Sequence, residues 1–221
     1  MTERVLMDND VVLKAACYAL DDEVLTATTL ERVPPAMLGV GRFVIRSRLT
    51  RASNIADSER ATIAFERMIA KMLLVEPDED ELAAAADLEA EAIHRDLELD
   101  GGESQLLAIL AKRACSLLIT GDKRAIAAMA VVATADVGFR IACLEQLIAH
   151  IATANDFPSV RTRICAEPKV DRAITSCFAC SSPNTPDTAD VLTGLASYAS
   201  HLDRTAPGVL IRGNDLSSLT A

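Results

Sequence analysis

The sequence predicts an α/β fold of three layers, with helices on both faces of an open, mainly parallel sheet and a helical C-terminal extension. Two observations carry this. Short apolar runs alternate with longer segments of helical periodicity, and no hairpin turn signal joins any two of the runs. The runs Met72-Leu-Leu-Val75 and Cys115-Ser-Leu-Leu-Ile-Thr120 are also nearly apolar throughout rather than alternating, as strands covered on both faces are.

Taken in order, Arg4–Met7 is a short strand closed by Asp8-Asn9-Asp10, after which Val11, Val12, Ala15, Ala16 and Ala19 recur at helical spacing. The β-branched content of Val24–Thr28 suggests a second strand. Pro34-Pro35 suits a helix start, with Met37, Val40, Val44, Ile45 and Leu49 as an apolar stripe. Asp57–Lys71 is a further helix, Met72–Val75 a buried parallel strand ended by Glu76-Pro77, and Glu79–Arg95 an alanine- and glutamate-rich helix. Asp100-Gly-Gly-Glu103 opens a helix that ends at Lys112-Arg113, so acid and base match the dipole at its two ends. Cys115–Thr120 is a strand, Gly121-Asp122 turns it into a helix from Lys123 to about Val132, and Phe139–Cys143 is a last strand before the amphipathic helix Leu144–Ala154.

Beyond Phe157-Pro158 the pattern changes to shorter helical pieces around Arg161–Cys165 and Val170–Cys177. A Ser/Pro-rich loop at 181–186 and a helix over Asp187–Leu202 follow. The expected organisation is therefore an α/β domain over 1–155 and a helical extension over 156–221.

The formal net charge of −10 is regional. Residues 76–103 hold twelve Asp and Glu against one Arg, a local charge of −11 that leaves the rest of the chain near +1. That segment reads either as a solvated surface or as a docking face for a basic protein partner. Arg42, Arg46, Arg48 and Arg51 form a basic cluster without intervening acid, suited either to phosphates or to a solvated helix face. No apolar stretch is long enough for a membrane span, and the opening Met1-Thr-Glu-Arg4 lacks the apolar core of a secretory signal. A cytoplasmic protein with no membrane partner and six reduced cysteines is expected. Cys177-Phe-Ala-Cys180 has the spacing of a metal knuckle, without the two further ligands that zinc needs.

Ligands of an open parallel sheet collect at the carboxyl ends of its strands. Asp8 ends the first strand and Asp122 the Cys115–Thr120 strand, while Glu103 lies in the first turn of the helix leading into the latter. Carboxylates brought together repel one another, so such a cluster implies a hard divalent cation, Mg²⁺ or Mn²⁺. Each acid also has a local explanation as a helix cap, with Asp100 and Glu103 spaced as a capping box. Lys123 and Arg124, beside Asp122, are candidates for contact with substrate phosphate, and Arg48 of the basic cluster is a third.

Val5-Leu-Met-Asp8-Asn-Asp10-Val-Val-Leu13 resembles the opening strand and first acid of PIN-domain nucleases. Gly102-Glu103 and Leu117-Leu-Ile-Thr-Gly-Asp122 resemble that family's second and third acids in order, and Arg140–Ile148 its closing strand and helix. The resemblance covers roughly residues 3–155. It implies a metal-dependent endoribonuclease acting on single-stranded or structured RNA, often the toxin partnered by an antitoxin, and often a homodimer. Asp8, Glu103 and Asp122 would be metal ligands and catalytic residues, with Asp10 a further ligand. The family's fourth acid has no counterpart in Lys123-Arg-Ala-Ile126, and Asp136 is the nearest later acid. Without that acid the same fold would serve as a catalytically inactive binding or regulatory module. Asp8-Asn-Asp10 also resembles the first motif of haloacid-dehalogenase-type phosphatases, although Thr120-Gly-Asp122 lacks their later acid pair.

Overall fold

The computed structural model describes residues 4–132, 138–213 and 216. Asp136 lies outside them. Five parallel strands form one open sheet in the order β3-β2-β1-β4-β5: β1 is Val5–Met7, β2 Ala36–Leu38, β3 Leu73–Val75, β4 Leu117–Thr120 and β5 Ile141–Cys143. The centre is β1, which pairs with β2 at Leu6↔Ala36 and with β4 at Val5↔Leu117, Leu6↔Leu118 and Met7↔Ile119.

The two faces of the sheet follow from the pleat. Successive side chains point to opposite sides, so Val5, Met7, Met37, Leu117, Ile119 and Ala142 enter one core while Leu6, Ala36, Leu38, Leu118, Ile141 and Cys143 enter the other. Both sets are apolar because both faces are covered, which is why these strands read as continuous runs. The first core is closed by α1 (Asn9–Cys17), α2 (Asp21–Thr28), α3 (Gly41–Arg51), α4 (Ser58–Ile69) and α8 (Leu144–Ala154). The second is closed by α6 (Gly101–Lys112) and α7 (Lys123–Val132), with α5 (Glu79–His94) lying against α6. This is the three-layer α/β/α arrangement anticipated from the sequence.

Two elements differ from expectation. The segment Val24–Thr28 belongs to helix α2 rather than to a strand. Asp21, Asp22 and Glu23 occupy its first turn, where negative charge is favoured by the helix dipole, and Val24, Leu25 and Thr28 share its buried side. Conversely, Ala36–Leu38 after Pro34-Pro35 is strand β2 rather than the start of a helix. A proline pushes the residue before it towards extended backbone; the Pro35 carbonyl accepts from the Leu73 amide at 2.9 Å, and the three following residues are wholly buried. Helix α3 therefore begins only at Gly41.

Residues 157–205 supply α9 (Phe157–Cys165), α10 (Arg172–Cys177) and α11 (Thr188–Thr205). Their apolar residues join the same cores as the sheet: Val160, Ile164, Ile174, Phe178, Val191 and Leu195 on one side, Ala199 and Leu202 on the other. The backbone at 208–211 runs parallel beside β5, with Ile211 N donating to Ile141 O at 2.8 Å. Glu167, fully buried, accepts hydrogen bonds from the amides of Ala56 (2.6 Å) and Asp57 (2.8 Å) and from Arg60 (3.3 Å), so this carboxylate anchors the segment to the start of α4.

The expectation of six reduced cysteines is corrected at one pair. Cys165, at the end of α9, and Cys180, just after α10, are joined by a disulfide with Cα atoms 5.0 Å apart. The turn between α9 and α10 folds the chain back on itself, a proximity that spacing alone does not reveal. Cys180 is thereby removed from any metal knuckle with Cys177. Cys17, Cys115, Cys143 and Cys177 stay outside any disulfide among the described residues. The bridge spans 15 residues, and closing a loop of that size stabilises a fold by about 3 kcal/mol. Urea unfolding with and without a thiol reductant is expected to differ by that order. Coincident curves would show that the bridge adds nothing in solution.

Candidate metal centre

Strands β2 and β3 lie on one side of β1, and β4 and β5 on the other, so the strand order reverses between β1 and β4. A crevice opens beyond the carboxyl ends of the strands at such a switch point. Here it is a cleft of about 670 Å³ whose lining includes Asp8, Asp10, Asp100, Glu103 and Asp122. The β1–β4 register sets the core of this group. The Asp8 amide donates to Ile119 O at 2.9 Å, which holds the residue after β1 beside the end of β4.

Asp8, Asp100, Glu103 and Asp122 also cap helices. Asp8 accepts from the amides of Asn9 (2.7 Å) and Asp10 (3.4 Å) at the start of α1. Asp100 and Glu103 form a reciprocal capping box on α6: Asp100 Oδ1 accepts from the Gly102 and Glu103 amides, and Glu103 Oε2 accepts from the Asp100 amide at 3.1 Å. Asp122 Oδ1 accepts from the amides of Arg124 (2.8 Å) and Ala125 (3.3 Å) at the start of α7. Capping and clustering are thus one arrangement, because three helices begin at the edge where the strands end.

Two of these carboxyls nevertheless hold protons abnormally well. Burial pushes the Asp8 carboxyl up to about 6, with repulsion from Asp10 next in importance. Burial pushes Glu103 up to about 8, reinforced by Asp100, Asp122 and Asp8. The cap hydrogen bonds work in the opposite direction and are outweighed. Glu103 Oε1 and Asp100 Oδ2 make no hydrogen bond among the described residues.

An all-oxygen set of crowded carboxylates is the donor chemistry of Mg²⁺ and Mn²⁺. Among the described residues, no three acids, histidines or cysteines stand together as a ready coordinating group. Binding a cation would require carboxylates to turn from their caps towards the cleft.

Asp10 is held differently. Lys14, one turn along α1, places its ammonium 2.7 Å from both Asp10 Oδ2 and Asp171 Oδ2, the latter from the N-cap of α10. Burial alone would lower the Lys14 pKa, but the two carboxylates raise it, so the ammonium stays charged. Gly121 makes room for this group, since a Cβ there would lie 2.3 Å from Asp10 Oδ2. The Asp10–Lys14 pair is readable from i, i+4 spacing; no local signal announces Asp171 or the need for Gly121.

Of the cations named from the sequence, Lys123, Arg124 and Arg48 line the cleft but differ in freedom. Lys123 pairs with the buried Glu145 at 2.7 Å and sits over the Tyr198 ring. Arg124 pairs with Glu98 at 2.5 Å and approaches Asp122 at 3.5 Å. Arg48 is exposed and makes no ion pair among the described residues.

Comparison with protein-family models, with curated proteins and with solved structures found no match to this chain.

The two raised carboxyls fix a pH dependence. A carboxyl whose pKa is higher in the folded state stabilises the fold fully below its ordinary pKa, and loses that contribution as pH rises through the folded value. With chelator present, the unfolding temperature is expected to fall as pH rises from about 5 to 9, through the values near 6 and 8 of Asp8 and Glu103. The Asp8→Asn, Glu103→Gln double variant should flatten this profile. A variant profile as steep as the parent's would assign the dependence elsewhere.

Proposed function

We propose that the cleft binds Mg²⁺ or Mn²⁺ and hydrolyses phosphodiester bonds in RNA. The observation that carries this reading is the meeting of Asp8, Glu103 and Asp122 in one cleft, where burial and mutual repulsion raise two of them well above ordinary carboxyls. Perturbed acids in a cleft are the usual mark of a functional site. Asp8, Glu103 and Asp122 would hold the ion, and Asp10, restrained by Lys14, would stand beside it. A cation so held supplies an activated water and stabilises charge on a phosphoryl oxygen. Arg48, on the cleft wall and without an ion-pair partner among the described residues, is the side chain available to a phosphate, whereas Lys123 and Arg124 must first leave Glu145 and Glu98.

The choice of RNA, and with it the toxin role, an antitoxin partner and a homodimer, rests on the resemblance of Val5–Leu13, Gly102-Glu103 and Leu117–Asp122 to PIN-domain nucleases. One observation favours a second reading, a catalytically silent binding module of the same fold: each of the three acids already has an oxygen committed to helix amides. The two readings part on metal binding.

Calorimetry with Mn²⁺ and cleavage of single-stranded RNA with and without the ion test the proposal together. The parent is expected to bind Mn²⁺ and to cut only in its presence. Asp8→Asn and Asp122→Asn should each lower cleavage by about a hundredfold or more, since each removes a ligand charge. Equal cutting by the Asp8→Asn, Asp122→Asn protein would end the hydrolase reading. Absence of both binding and cleavage would favour the silent module, and release of phosphate from an aryl phosphate would favour a phosphatase.

A further inference from the structure

Val44 and Arg48 of helix α3, with Val40 just before it, line the same cleft as the acids, but the charge of this helix is of the other sign. The helix carries Arg42, Arg46, Arg48 and Arg51 and no acid. Among the described residues, only Arg46 of the four has an ion-pair partner, Glu66 at 2.7 Å. The helix buries Gly41, Ile45 and Leu49, which leaves its opposite face outward.

That outward face is apolar where a soluble helix is normally polar. Val40 is 55% exposed, Phe43 58% and Val44 40%. Val40, Val44 and Arg48 recur every four residues and line the cleft itself, so this ridge descends directly to the acids. Phe43 stands beside the ridge with the Arg42 guanidinium 4.7 Å from its ring centroid. The Arg42 Nε is buried and has no hydrogen-bond partner.

We propose that this face of α3 docks single-stranded RNA across the mouth of the cleft, with Phe43 stacking an unpaired base and Arg48 and Arg51 taking the flanking phosphates. An exposed aromatic ring bordered by unpaired guanidinium groups is what a flexible polyanion with apolar bases requires: stacking is indifferent to base identity, and the arginines follow the backbone. Charge selects this occupant. The arginines, without ion-pair partners among the described residues apart from Arg46, complement phosphate, whereas a second copy meeting this face with its own α3 would bring like charge to like, and a duplex offers no unstacked base to Phe43. The docking deepens the hydrolase reading and rests on it for the choice of RNA as the strand. Arg48 lines the same cleft as Asp8 and Asp122, so a backbone held there would enter that cleft.

Binding of a short fluorescent single-stranded RNA, followed by anisotropy with chelator present, isolates docking from cleavage. Phe43→Ala and Arg48→Ala are each expected to weaken binding about tenfold, while Phe43→Tyr keeps it. Arg48→Ala should also lower the salt dependence by about 0.7 in log–log slope, the share of one phosphate contact on a single strand. Arg67→Ala, at an exposed arginine of α4 that pairs with Asp21 of α2, is the charge-matched control and should bind like the parent. Circular dichroism checks folding, which side chains this exposed should not disturb.

Parent-like binding by both Phe43→Ala and Arg48→Ala would overturn the proposal, as would a parent that binds no single strand or prefers a duplex. A dimer that Phe43→Ala dissolves would overturn it in favour of a second copy on this face. RNA held by α3 but never cut with Mn²⁺ would sink the hydrolase reading and leave the docking face standing. Metal-dependent cutting with binding indifferent to Phe43 and Arg48 would do the reverse.

Discussion

The parallel pairing of β1 with β4 at the middle of the sheet constrains everything around the cleft. Because Met7 lies opposite Ile119 and the Asp8 amide is bonded to the Ile119 carbonyl, the ends of the two strands share one edge. Each strand runs straight into a helix there. A helix start wants an acceptor for its free amides, and aspartate is among the best. The sheet therefore gathers acids for local reasons, and their proximity becomes a global electrostatic problem.

That problem is only partly relieved from within. Cap hydrogen bonds and the N-termini of α1 and α6 favour the charged forms of Asp8 and Glu103. Burial and mutual repulsion favour the protonated forms and prevail at Asp8 and Glu103. Asp10 is paired with Lys14, and Lys14 is held in turn by Asp171. The C-terminal extension thus reaches the back of the cleft through one carboxylate. Its loop between α9 and α10 is itself fixed by the Cys165–Cys180 bridge and by Glu167 at the start of α4.

Charge is sorted by element rather than spread. The acid-rich stretch lies in α5 and its flanks, where part of it is spent internally: Arg113 makes a two-pronged contact with the buried Glu81, at 2.7 Å from both Nε and Nη2. The basic charge is gathered on α3, of whose arginines Arg48 lines the cleft that Asp100 and Glu103 also line. A total of −10 therefore says little about what approaches the cleft, because long-range steering depends on where charges sit.

What could be read in advance was whatever local chemistry decides. The strand Leu117–Thr120, the helix Leu144–Ala154, the Asp100–Glu103 box and the position of Asp8 and Asp122 after strands all follow from apolar runs and capping residues within a few positions of each other. Helix α2 and strand β2 were misread where propensity and context disagree. Val24–Thr28 is β-branched yet has helical spacing and an acidic first turn, and Pro35 precedes only three strand residues before the helix begins. The sequence by itself determined the layered fold and put acids at strand ends. Only the tertiary structure decided which strands are neighbours, and hence that those acids share one cleft, that Asp171 reaches Lys14 and that Cys165 meets Cys180. These contacts join residues far apart in the chain, and no short-range preference encodes a distance across a fold.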